Sequence, residues 1–327
     1  MTWLALRQNR TQIIGMLAIA LLLAMALALA ADYAARIRAE LGVDTCVPLP
    51  NTNLNCVQLD TEWRQRVGGL NYLFFALYVF PGLVASYVGG PLFAVEYERG
   101  THRLVWTQSV SRVRWAVVKI AVVFVAAVAA AVVLAPFGRG QAVFLDRSVV
   151  SPFETFEIEG VALVSYFAFG LAVGACVGAW SRRILTGMFI GLLLFGAVRL
   201  GVHNLRSTYL DPLTVPFGSV DPRVAPASGL PADAWNLGVQ AVDLQGRPVA
   251  QERLRALLDE YFRSQHGVPT ATNNDTTFLF EHGVLRRIAY QPAERFWTFQ
   301  VIEAAIFFAL AAFAVLLTLW RVRTRDA

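Results

Sequence analysis

The side chains that could do chemistry in this 327-residue chain are few and far apart. Glu303 lies in the first turns of an apolar run near the C-terminus, and Arg199 lies about one turn from the end of another. Ionised groups at that depth are costly in lipid, so they pair, meet a substrate or face water. Glu303 and Arg199 are candidates for each other; the plainer reading of Glu303 is an interfacial carboxylate facing water. The four histidines, His102, His203, His266 and His282, are too scattered to read as a metal set. No Gly-x-x-x-x-Gly-Lys phosphate loop occurs, no His-Glu-x-x-His and no Gly-x-Ser-x-Gly elbow. Catalytic, cofactor-binding and metal-binding sets are all absent from the sequence.

Of the cysteines, Cys46 and Cys56 are close enough in sequence to bond. A disulfide across so short a loop contributes roughly 2–3 kcal/mol in an oxidising compartment; two free surface thiols are the alternative. Cys176 sits inside an apolar run and reads as a small packing residue.

The elements that must carry these residues are membrane spans. Hydrophobic residues make up 56% of the chain and mean hydropathy is +0.51, too apolar for a soluble domain of this length. Six runs reach the roughly 20 residues a bilayer requires, at about 13–31, 72–95, 116–136, 161–180, 184–202 and 298–320. Trp297 and Trp320 bracket the last, as interfacial aromatics do. The first run has two readings, a cleaved signal peptide or a retained anchor; its length and the five runs after it favour the anchor.

Charge orients the spans. With the N-terminus inside, the segments 1–12, 96–119, 181–183 and 321–327 carry twelve basic residues in 46 positions, and the outer segments fifteen in 160. That threefold difference in density is the positive-inside pattern, with both termini cytoplasmic. The net charge of +5 is therefore a topology signal, and no nucleic-acid partner is implied.

Gly170, Gly174 and Gly178 recur every fourth residue in the fourth span, and Gly187 and Gly191 repeat the spacing in the fifth. Such faces let helix backbones approach closely in lipid, against each other or against a second protomer. Pro81, Gly82, Gly89, Gly90 and Pro91 predict a kinked or broken second span. The long segment 203–299 predicts an outer domain with an amphipathic helix from Gln251 to Gln265, and Thr276 to Tyr290 reads as a small strand hairpin turning at His282-Gly283. The fold class read from the sequence is an all-α integral membrane protein of six transmembrane helices. Its boundaries are 1–202 for the first five helices with the inner loop 96–115, 203–299 for the outer loop region, and 300–327 for the sixth helix and a short tail.

The loop between the second and third spans is the most distinctive segment. Thr101 and Ser111 can each cap a helix, leaving about ten residues of helix across the membrane surface. Its pattern, Glu96-x-Glu98-x-Gly100-Thr101-x-Arg103-Leu104-x-Trp106-Thr107-Gln108-Ser109-Val110-Ser111-Arg112-x-Arg114-Trp115, resembles actinobacterial ABC transporter permeases of the type 2 exporter family. Tyr290-Gln291-Pro292-Ala293-Glu294-Arg295-Phe296-Trp297 is similar to their approach to the last span. The resemblance implies a permease subunit of an ATP-driven exporter in the bacterial plasma membrane. A separate ABC ATPase would bind ATP and Mg and be docked by Glu96, Glu98, Arg99, Gly100, Thr101, Arg103, Leu104, Trp106, Thr107, Gln108, Ser109 and Arg112. It also implies a homodimer or a heterodimer with a related permease, and an amphipathic lead-in helix over residues 1–12 on the inner surface. A membrane sensor with a ligand-binding outer region is the rival reading; the short inner segments leave it no output domain. A membrane-bound enzyme is a third, disfavoured because the spans show no polar cluster.

Overall fold

The computed structural model describes residues 2–43, 54–100, 111–144, 151–216, 230–264 and 274–324. Helix α1 (Thr2–Leu41) runs 40 residues unbroken. At 1.5 Å per residue that is about 60 Å, twice the ~30 Å of bilayer hydrocarbon. No proline interrupts it, and its one glycine, Gly15, sits in open space. Nothing therefore turns the chain after residue 12, and residues 2–12 are the first turns of the same continuous helix, not a separate one.

Beyond the apolar stretch α1 continues through residues 32–41, and α2 (Leu54–Val67) packs beside it. The indole of Trp63 donates to the Ala34 carbonyl at 3.2 Å. Part of the region read as a loop is thus helical. Cys46 and the side chain of Cys56 lie outside the described residues, as does their pairing.

Next come α3 (Tyr72–Leu83), a π-helical stretch Val84–Gly89, and α4 (Pro91–Glu98). Pro81 offers no N–H to the carbonyl four residues back, so the ladder loosens. The Gly90 N–H reaches back five residues to Ala85 at 2.9 Å. The expected kink takes this form. Helix α5 (Arg112–Leu134) starts at a Ser111 cap whose hydroxyl accepts from the Arg114 amide at 3.4 Å.

Helices α6 (Gly160–Ser181) and α7 (Ile184–Leu205) form the hairpin expected from the short Ser181-Arg182-Arg183 turn. α6 is the central element, packed on α4, α5, α7 and the π-helical stretch. Six segments are long and apolar enough to cross a membrane: Thr2–Leu41, Gln58–Glu98, Arg112–Gln141, Gly160–Ser181, Ile184–Thr208 and Ala293–Thr324. Each contains one of the six predicted runs, and this unit is all-α. On α7, Leu185, Phe189, Leu193 and Leu200 are exposed, as lipid-facing side chains are.

The chain divides into two compact units, with residues 151–153 and 207–296 forming the second. In that unit strands β1 (Leu213–Pro216), β2 (Trp235–Asp243) and β3 (Val284–Gln291) make an antiparallel sheet in the order β1-β3-β2. Helix α8 (Gln251–Ser264) is the predicted amphipathic helix and buries Tyr261, while Phe262, expected on the same face, is exposed. The predicted hairpin is corrected. The chain does turn at His282-Gly283, but the arm before it is helix α9 (Asn274–Glu281), and β3 pairs with β1 and β2 instead. Helical spacing buries Leu279 fully and sets the Phe278 ring 5.4 Å from Tyr261, so packing overrides the β preference of the Thr-Thr-Phe run.

The last helix, α10 (Phe296–Thr324), closes the first unit.

Candidate functional site

The membrane unit carries three built features along the axis of α6. The first is the footing of the 96–115 loop. Residues 101–110 lie outside the described residues, so Thr101, Arg103, Leu104, Trp106, Thr107, Gln108 and Ser109 have no placement. The two feet are defined. Glu96, at the end of α4, is buried and accepts from Lys119 of α5 at 2.6 Å. The Lys119 ammonium lies over the rings of Phe93 and Trp115, at 5.7 and 5.5 Å. Glu96 was read as part of a docking surface; with 6% exposure and its carboxylate turned onto α5, it is a packing element instead.

Glu98 is exposed and accepts from the Ile184 amide at 3.1 Å, capping the first turn of α7. The Arg182 guanidinium lies 5.3 Å from the Tyr97 ring. Arg99 is exposed, and Arg112 is half-buried at the start of α5. Gly100 has φ +70, a left-handed angle that a side chain resists, with open space around its Cα. The foot after α4 and the α6–α7 turn are therefore tied together.

The second feature is the glycine seam. A Cβ at Gly174 would lie 2.1 Å from the Ala85 carbonyl oxygen, and one at Gly178 would lie 2.1 Å from that of Gly90. At Gly170 the obstacle is the Pro81 carbonyl at 2.6 Å. A Cβ at Gly187 would lie 3.0 Å from the Cα of Gly178, and one at Gly191 would lie 3.2 Å from that of Gly174. The two glycine stripes thus face each other and the π-helical stretch between them.

The third feature is a buried charge cluster at the opposite end of α6. Arg206, the residue that follows α7, donates through Nε and Nη2 to the two oxygens of Glu303 on α10, both at 2.8 Å. Its Nη2 also reaches Glu157 at 3.0 Å, and Arg199 donates to the other Glu157 oxygen at 2.9 Å. His203 meets Glu157, the Tyr166 hydroxyl donates to Glu303, and Arg199 donates to the Tyr78 carbonyl. Burial pushes the Glu157 carboxyl up, but Arg199, Arg206 and His203 outweigh that and hold it below the ordinary carboxylate range. Gln300 completes the packing, donating to the Phe156 carbonyl and accepting from the Ala162 amide, each at 2.8 Å. Two guanidinium and two carboxylate charges cancel, so the cluster is neutral while five segments are held together.

Two readings of the sequence are corrected here. Glu303 does not pair with Arg199, nor does it face water; it is 1% exposed and belongs to Arg206. The spans do contain a polar cluster, whose acidic half comes partly from a turn read as loop. Glu157, Arg206, Tyr166 and Lys119 were all missed. A signal existed for part of it: Arg199, His203 and Arg206 recur at spacings of four and three, one face of a helix running past the predicted end of the fifth span.

The family model described as ABC-2 membrane transporter related matches residues 15–206, more than half the chain and most of the first five spans. The chain belongs to that family. It is an ABC-2 type transport permease, a multi-pass membrane protein. Comparison with curated proteins and with solved structures returned no match. In the permease, the loop feet, the glycine seam and most of the charge cluster fall within the matched region, whereas Glu303 and residues 207–296 of the sheet-bearing unit lie beyond it.

Proposed function

We propose that this permease is the membrane half of an ATP-driven exporter, seated on a separate cytoplasmic ABC ATPase through its 96–115 loop. Family membership supports a transporter that works with an ATPase. The observation that carries the docking is the footing of the loop. The buried Glu96–Lys119 pair and the Glu98 cap join its feet to α4, α5 and α7, so a push on the loop reaches three helices at once. Gly100, at φ +70, sets the direction in which the chain leaves α4. The π-helical stretch above α4, lying on the glycine seam, is the natural place for α4 to pivot.

In this reading the docking residues are Glu98, Arg99, Gly100, Thr101, Arg103, Leu104, Trp106, Thr107, Gln108, Ser109 and Arg112. ATP and Mg sit on the partner. Both termini of the chain are cytoplasmic in a bacterial plasma membrane, and two copies, or one copy with a related permease, line the path. Loop displacement on ATP closure would move near-rigid helices and open the path outward.

The test is co-expression with an ATPase encoded beside it that carries a Gly-x-x-x-x-Gly-Lys loop. Trp106→Glu should insert normally yet lose the co-purifying ATPase, because an aromatic ring in a partner's groove cannot be replaced by a carboxylate. A normal ratio of bound ATPase to inserted permease in Trp106→Glu removes the docking assignment.

A further inference from the structure

Arg321 stands in the last turn of α10 and is buried, at 7% exposure. Its Nε and Nη1 are enclosed by protein, and neither makes a hydrogen bond. A guanidinium has five donors and keeps its charge, so enclosed donors without acceptors are costly. The acids among the described residues at this end of the bundle are already engaged: Glu96 with Lys119 at 2.6 Å, and Glu98 with the Ile184 amide at 3.1 Å. Among the described residues, none supplies an acceptor for these two donors of Arg321.

The surroundings identify one. The Trp180 ring at the end of α6 lies 5.7 Å from the guanidinium, and Trp180 and Trp320 pack at 6.0 Å with both rings partly exposed. Paired indoles of this kind mark headgroup depth. Below Trp320 on the same face of α10, Leu316 and Phe313 are exposed, an apolar track one acyl chain wide. Arg182, Arg183 and Arg323 make the local field positive. An acidic protein partner would have no use for the apolar track; a lipid uses both halves.

The geometry points to a binding site for the phosphate group of an anionic phospholipid, with Arg321 taking the phosphate, Trp180 and Trp320 flanking the headgroup, and Leu316 and Phe313 carrying an acyl chain. Binding would require a small outward turn of the Arg321 side chain to bring its enclosed edge to the phosphate, a motion that long basic side chains at span ends make. The site stands apart from ATPase docking and is testable on the permease alone.

The experiment is native mass spectrometry of the purified full chain in mild detergent, titrated separately with phosphatidylglycerol, phosphatidylcholine and inorganic phosphate. The wild type should hold one phosphatidylglycerol in preference to phosphatidylcholine, and Arg321→Gln should weaken that retention about tenfold, the loss of one charge-assisted contact. Arg323→Gln, an exposed neighbour that contributes only to the field, should weaken it far less. Arg321→Lys, which keeps the charge but not the fork, should fall between the two and serves if Arg321→Gln does not fold. Equal retention in wild type and both Arg321 variants overturns the site. So does an equal loss in Arg323→Gln, which would mean general attraction to a basic surface. Competition by inorganic phosphate at the same concentration overturns the lipid as the source of the phosphate.

Discussion

Arg206 and Glu303, 97 residues apart, meet in a two-pronged ion pair with both hydrogen bonds at 2.8 Å. The pair joins the C-terminal end of α7 to α10 across the boundary of the family match, and Glu157 and Tyr166 attach the turn at 155–159 and α6 to it. Neither charge has water to fall back on, which makes each partner indispensable to the other.

Removing one side should therefore cost far more than removing both. Arg206→Met alone should destabilise the permease by about 3–5 kcal/mol, since it leaves Glu303 buried without a cation, and Glu303→Leu should cost somewhat less because Arg206 keeps Glu157. The double variant should lose less than the sum of the singles, and thermal unfolding in detergent across the four proteins checks the cycle. Strict additivity would mean that the two residues do not act as a pair.

The glycine seam sets a steric test. Gly174→Ala should lower the unfolding temperature sharply, because its Cβ would lie 2.1 Å from a backbone oxygen that cannot swing aside. Gly196→Ala, on α7 with nothing within 4 Å, should be neutral or slightly stabilising. Gly174→Leu should prevent assembly altogether, while Val173→Leu should be tolerated better.

Acid should release the charge cluster in a defined window. Glu157 has its folded pKa below its ordinary value of 4.5, so its contribution is complete above that value and lost as pH falls through the lower folded value. Glu159 has the opposite sign: burial raises its carboxyl, an effect that Arg139 and Thr155 only partly offset, so its contribution is present at low pH and lost as pH rises. Unfolding temperatures measured from pH 7 down to about pH 3 should fall more steeply below about 4.5 in the wild type than in Glu157→Gln. Parallel curves would show that Glu157 does not carry the acid sensitivity.

Glu96 and Glu98 should separate folding from docking. Glu96→Ala strands Lys119 in a 3% exposed site and should lower stability by about 3 kcal/mol or more, seen as early unfolding. Glu98→Ala removes one cap from α7 and should cost about 1 kcal/mol. Equal unfolding temperatures for the two variants would contradict the buried pair.

Membrane topology is checked by labelling. Cysteines placed at Ser219 and Ser228 should react with an impermeant reagent on intact cells, and one at Ser109 should not. External labelling at position 109 would remove the basis for docking a cytoplasmic ATPase.

The sequence by itself determined the number of spans, the hairpin of the fourth and fifth, the irregular second span and the amphipathic helix after Gln251. All of these follow from local composition: apolar length, a three-residue connection, a proline inside a helix, a 3.6-residue period. The resemblance of the 96–115 segment supplied the family, which the match over residues 15–206 shows. The tertiary structure alone decided which charges meet. Arg199 and Glu303 were the visible ionised pair, yet each took a partner from a segment read as loop, because burial and side-chain reach select the partner and sequence distance does not. The same holds for Glu96, whose place in a charged run made it look solvent-facing until α5 brought Lys119 beside it. The hairpin before Tyr290 failed for a related reason: a strand propensity in Thr276–Phe278 is a weak local preference, and packing against Tyr261 rewarded the helix more.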